Sequence, residues 1–244
     1  LAVLGASLGS FFNVLIDRIP RKASIVFPAS HCTSCGKKIP IYQNIPILSY
    51  LLLKGRCSNC GDRIHWHHPV VELLTTLILI LLFLVHGLGG VQFYKFALMS
   101  CFLIPILFID AFHHIIPFVL SLPLLACGLL IALIPNSGVG FINALVTSLV
   151  LFCLLYLLAL IWDKVFHKEG LGGGDVVLLP GVASYFGLVH TPFVVIFACV
   201  LGIGYFVLFL RRNQVFAFGN FIAAAAIVWG LAGEQLLLLT GILT

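Results

Sequence analysis

The sequence predicts an all-α polytopic membrane protein, with about eight transmembrane helices and a small zinc-binding loop domain on the cytoplasmic side. Three observations carry this reading. The chain is 61% hydrophobic and only 9% charged, with a mean hydropathy of +1.19. Its apolar runs match the length needed to cross a hydrocarbon core of about 30 Å. Its basic residues gather in a few polar stretches between those runs. Soluble domains carry about 25% charged residues, and a chain of 244 could not hide this much apolar surface from water. A net charge of +5 would point to nucleic acid in a soluble protein. Here loop bias accounts for it, and no nucleic-acid partner is expected.

The apolar runs lie near 1–16, 69–88, 91–109, 118–135, 139–162, 176–190, 191–210 and 215–242. The first lacks the basic leader and small-residue cleavage site of a signal peptide, so it is expected to remain as a span, although the chain begins without Met. The sixth and seventh are divided around His190-Thr191-Pro192. Eight spans put Arg18, Arg21, Lys22, Lys37, Lys38, Lys54, Arg56, Arg63, Lys164, Lys168, Arg211 and Arg212 on one side, with Lys95 near the other. The positive-inside rule makes the basic side cytoplasmic and turns both termini outward.

Two acids stand out against this background. Asp110 ends the third span and Asp175 begins the sixth, so eight spans bring both to the cytoplasmic side at one depth. An odd number of spans between them would separate them. An ionisable side chain at a helix centre costs about 2.5–3.5 kcal/mol on insertion scales, so such a pair calls for a function. Two carboxylates that share a proton are the equipment of an aspartic peptidase. A transporter with intramembrane acids would place them at mid-bilayer, and an assembly scaffold would not need them at all.

Residues 17–68 form the one sizeable polar segment. It holds Cys32-Thr33-Ser34-Cys35 and Cys57-Ser58-Asn59-Cys60, each followed by glycine, Gly36 and Gly61. Two C-x-x-C pairs so arranged fit four thiolates around a structural Zn²⁺, and Lys37, Lys38, Arg56 and Arg63 offset the charge. Disulfides are disfavoured on the cytoplasmic side. His31, His65, His67 and His68 are expected at the surface or membrane interface. Cys101, Cys127, Cys153 and Cys199 are expected as small buried hydrophobes. Ile41 to Leu51 is too short to span and is expected on the membrane surface.

Taken in order, these motifs resemble bacterial type IV prepilin peptidases, the bifunctional leader peptidase/N-methyltransferases. The resemblance is carried by Gly9-Ser10-Phe11-Phe12-Asn13-Val14 with Arg18-Ile19-Pro20, the paired C-x-x-C motifs, Gln43-Asn44-Ile45-Pro46 and Lys54-Gly55-Arg56-Cys57. It continues through Pro69-Val70-Val71-Glu72-Leu73, Asp110 to Pro117, Gly172-Gly173-Gly174-Asp175 and Phe218-Gly219-Asn220-Phe221. Three positions depart from the family pattern: Val177 for a usual Lys, Phe118 for a frequent Asp, and Asn220 for a usual Pro.

The resemblance implies a water-activating dyad of Asp110 and Asp175, with Gly172, Gly173 and Gly174 leaving room for an extended substrate backbone. It implies methyl transfer from S-adenosylmethionine to the new N-terminal amine. No G-x-G-x-x-G unit marks a cofactor pocket; Lys54, Gly55 and Arg56 are candidates by position. Glu72 is expected to pair with a loop Arg or join that pocket, and His113 and His114 to reside at the interface. The expected organisation is a first helix at 1–16, a zinc-binding, methyltransferase-associated loop domain at 17–68 and a helical peptidase domain at 69–244. Expected partners are prepilins and pseudopilins with basic leaders, together with the lipid bilayer, and the expected location is the bacterial inner membrane. A leader peptidase without methyl transfer is the nearest alternative, disfavoured by the cysteine-rich loop.

Overall fold

The computed structural model describes residues 1–167, 172–209 and 217–239. Lys168, Arg211 and Arg212, which enter the expectations above, lie outside the described residues. The elements are α1 (Ala2–Arg18), α2 (Leu48–Leu52), α3 (His67–His86), α4 (Val91–His113), α5 (Phe118–Ile131), α6 (Phe141–Phe166), α7 (Gly173–Phe209) and α8 (Gly219–Leu239). A single 3-10 turn at Ile41–Gln43 and two isolated β-bridges complete the regular structure among the described residues. Helices α3, α4, α6 and α7 are each long and apolar enough to cross a membrane, and α5 and α8 are shorter apolar helices.

The expected division inside α7 is real but misplaced. The break falls at Gly187 (φ 65°, ψ −172°), not at His190-Thr191-Pro192, which are helical. That backbone region is essentially open to glycine alone, so Gly187 rather than Pro192 interrupts the helix. The Leu188 N–H freed by the break donates to Asn143 Oδ1 of α6 at 3.0 Å.

The chain divides into two compact units, Leu1–Leu84 and Val85–Thr244. In the first, α1 meets α3 backbone to backbone. A Cβ on Gly5 would lie 2.7 Å from Thr76 Cα, and one on Gly9 2.5 Å from Glu72 Cα. Gly5 and Gly9 have the small-x-x-x-small spacing that lets membrane helices approach closely. In the second unit α7 packs against α5, α6, α8 and α4. Leu103, Ile106, Leu124, Leu178, Val182 and Tyr185 are buried there.

The four dispersed cysteines are not buried as expected: Cys153 is exposed, and Cys101, Cys127 and Cys199 are half-buried. The exposed neighbours of Cys153 on α6 are Leu149, Val150, Leu154 and Leu157. An apolar face turned toward lipid costs nothing, so a small hydrophobe need not seek the bundle interior.

Candidate active site

Three helix ends converge in the second unit. Asp110 lies in the last turn of α4 and is 4% exposed. Asp175 lies in the first turn of α7, where the helix dipole favours an acid. The start of α8 supplies the third wall. There the Asn220 N–H donates to Asp110 Oδ2 at 2.7 Å, so the carboxylate of one helix caps the beginning of another. Ile116, in the turn between α4 and α5, is wedged between the two glycines that open α7 and α8. A Cβ on Gly174 would lie 2.5 Å from Ile116 Cβ, and one on Gly219 would meet both Ile116 Cδ1 and, at 3.0 Å, Asp110 Oδ2. Through this wedge the Asp110 and Asp175 carboxylates come near enough for their charges to interact. Asp175 Oδ1 is buried with no hydrogen-bond partner among the described residues. One carboxylate is oriented by a backbone donor and the other has an oxygen to spare, the chemical equipment for activating a water molecule.

The glycines before Asp175 differ in what they do. Gly173 has open space around it and Gly172 is exposed, whereas Gly174 is already occupied by the close approach of Ile116. Gly174 therefore serves helix packing. His113 and His114 are exposed at the end of α4, and His114 ends the helix in the left-handed conformation (φ 55°) with its N–H on the Asp110 carbonyl. Phe118 opens α5 and is exposed, and Val177 is half-buried. Of the three departures, Asn220 touches Asp110. A proline there would have no N–H to give Asp110.

In the first unit, the two C-x-x-C turns are built alike. Gly36 (φ 68°) and Gly61 (φ 74°) donate N–H bonds to the Cys32 and Cys57 carbonyls at 2.9 and 3.0 Å. Nothing approaches either glycine, so the positive φ is what requires them. All four sulfurs lie within 4.8 Å of one another, and Cys32 Sγ is 3.9 Å from Cys60 Sγ. Bonds of 2.3 Å to a tetrahedral zinc would set sulfurs about 3.8 Å apart. Lys37 Nζ donates to Asn59 Oδ1 at 2.8 Å, and Asn59 Nδ2 reaches Cys35 Sγ at 3.6 Å, tying one turn to the other. Ser34 and Asp62 are hydrogen-bonded across the same gap.

N–H groups of Cys35 and Ser34 bring the Cys32 thiol down to about 6, and those of Cys60 and Asn59 lower Cys57. For Cys60 the Asp62 N–H works in the same direction, but lost solvation and the other three sulfurs push it up to about 12. Four thiolates this close need a cation to coexist, and the residues fit zinc.

A cavity of about 1080 Å³ opens in the first unit, bordered by Ser10, Asn13, Arg21, Tyr42, Gln43 and Glu72 among others. Lys54, Gly55 and Arg56 do not line it. Gly55 instead turns at φ 68° against the Tyr50 ring. Of the two expectations for Glu72, the described contacts give it no arginine partner, while it does border the cavity. Its Oε2 accepts the Ile47 N–H at 2.7 Å and holds that residue at φ 62°. His67 is not at the surface: it is 7% exposed and faces Asp17. No spacing rule connects Asp17 to residues fifty positions later, so this cluster and the role of Asn220 were hidden from the sequence.

Residues 97–207 match the model of the type IV leader peptidase family, and residues 3–86 match the bacterial peptidase A24 N-terminal domain. The chain is 34% identical over 241 residues to the type 4 prepilin-like proteins leader peptide-processing enzyme of Escherichia coli O78:H11, covering 91% of this chain and 89% of that one. It belongs to the type IV leader peptidase family. Other relatives are named prepilin leader peptidase/N-methyltransferase: that of Dichelobacter nodosus is 32% identical, over 94% of this chain and 89% of its own. That of Neisseria gonorrhoeae is 30% identical, over 89% and 84%. No solved structure matches this leader peptidase family member significantly. The first matched segment nearly coincides with the first compact unit, and the second falls inside the second.

Proposed function

We propose that this protein cleaves the leader of prepilins and pilin-like proteins at the membrane interface, then N-methylates the residue that cleavage exposes. The observation that carries the proposal is the convergence, around Ile116, of the helix ends that bear Asp110 and Asp175. One carboxylate accepts a proton from water while its protonated partner polarises the scissile carbonyl. The hydroxide attacks the carbonyl carbon, and collapse of the tetrahedral adduct sends a proton to the leaving nitrogen, which becomes the new N-terminal amine. Like charges this near cannot both persist cheaply, so one proton stays with the pair. Asn220 N–H fixes the orientation of Asp110 throughout.

The cavity among residues 1–84 fits the second reaction by size and lining. S-adenosylmethionine, when bound, supplies an electrophilic methyl group on a sulfonium sulfur. Arg21 suits its carboxylate, and the Tyr42 ring suits a planar base. The cysteine module, loaded with structural zinc, holds the loop that forms one wall. The gathering of basic residues in the polar loops supports a cytoplasmic orientation for those loops in an inner membrane.

The test is incubation of purified protein with a prepilin and methyl-labelled S-adenosylmethionine. Wild type cleaves and labels. Asp110→Asn and Asp175→Asn each lose cleavage by at least about 10³-fold, as expected for a dyad member acting in the transition state. Normal cleavage by either variant refutes the dyad, and cleavage without label removes the methyl-transfer reading alone.

A further inference from the structure

Neither the dyad nor the cysteine module uses Asp17, His67 and His68, yet the fold brings their side chains to one point. Asp17 ends α1, and the two histidines open α3. His67 Nε2 lies 3.5 Å from Asp17 Oδ1, and His68 Nε2 lies 3.9 Å from Oδ2. One ligand atom from each of the three falls within 4.8 Å of the others. We propose that these residues form a second metal site, separate from the four cysteines, for a borderline divalent ion of the zinc, cobalt or nickel class.

The distances are too long for good hydrogen bonds, which run about 2.7–3.2 Å. They are close to what a shared ion requires. Bonds of 2.0–2.1 Å to a tetrahedral metal put ligand atoms about 3.3 Å apart, so a contraction of a few tenths of an ångström closes the site. Two imidazoles and one carboxylate select this class of metal over magnesium or calcium.

The surroundings are those of a supported ligand set. His67 Nδ1 is 2.7 Å from His65 Nδ1, so one of these nitrogens donates its proton to the other. When His67 donates, its Nε2 keeps a lone pair toward Asp17, the tautomer that a metal demands. The His68 carbonyl accepts the Asn13 Nδ2 bond at 3.0 Å, anchoring the first turn of α3 to α1. Glycine contacts farther along the same helix pair fix their separation. Asp17, His65 and His68 also border the large cavity, while His67 is buried and does not line it. Three protein ligands with open coordination toward a cavity make a site that can take water or a cavity guest as its fourth ligand.

Tag-free full-length protein in detergent, dialysed against low micromolar zinc and measured by elemental analysis, decides the matter. Two zinc ions per chain are expected for wild type. One is expected for Asp17→Asn and for His68→Gln, and one for the Cys32→Ser/Cys57→Ser double variant. Cobalt added to protein carrying one zinc in the cysteine site, after a mild chelator has emptied the second, should give d–d bands without sulfur-to-metal charge transfer, and His65→Gln should weaken its binding about tenfold or more. One zinc per chain in wild type, lost altogether in the cysteine variant, overturns the proposal. So does a second ion that survives in both Asp17→Asn and His68→Gln.

Discussion

At the scale of single residues, the proposed dyad rests on a bond that no local pattern announces. Asp110 and Asn220 are 110 positions apart, and what joins them is a backbone N–H. Asn220→Pro removes that donor, and proline is tolerated in the first turn of a helix, so α8 should survive. Loss of one charge-assisted hydrogen bond should lower kcat for leader cleavage about tenfold with KM unchanged. Asn220→Ala keeps the N–H and should stay within about twofold of wild type. Equal kinetics for the proline and alanine variants would show that the bond does not orient Asp110. The acids themselves were legible, because a carboxylate at the edge of an apolar run is costly and therefore conspicuous. The glycines beside Asp175 were legible as a feature but not in their division of labour. Only the packing of Ile116 shows that Gly174 is filled while Gly173 is open.

At the scale of elements, composition located the helices well, since apolar length alone marks a membrane run. It misplaced the division of α7 because proline is the more conspicuous breaker in a sequence, while the dihedral angles require a glycine. Gly187→Ala would force a side chain into that region and bring its Cβ within 2.9 Å of Val139 Cγ1. A destabilisation of about 1–3 kcal/mol is expected, measured by denaturant titration in mixed micelles. Unchanged stability would mean that the break can relax. The cysteine turns were legible from spacing, because two C-x-x-C pairs leave few chemical alternatives. The cross-links described between them are exposed, so a bound zinc would be their main support. Removing zinc with a strong chelator should open residues 30–64 to proteolysis while the described helices from α4 onward stay protected. Protection of the loop after metal loss would assign its stability elsewhere. Gly5 and Gly9 also had a readable spacing, and its consequence is the backbone contact of α1 with α3.

At the scale of the whole molecule, the helices differ widely in length, and that difference bears on where hydrolysis can occur. Helix α6 has 26 residues, or about 39 Å, while α5 has 14, or about 21 Å. The part of α7 before Gly187, which begins beside Asp175, is likewise roughly 21 Å long and packs with α5. A hydrocarbon layer of about 30 Å fits the long helix and overreaches the short ones. A thinned lipid layer beside the two carboxylates is the expected response, a local dimple that would draw the aqueous phase toward a bond otherwise shielded by acyl chains. Membrane thickness becomes a rate determinant. Nanodiscs made with progressively longer acyl chains should slow leader removal, and shorter chains should quicken it. A rate indifferent to chain length would mean that protein contacts alone admit the water.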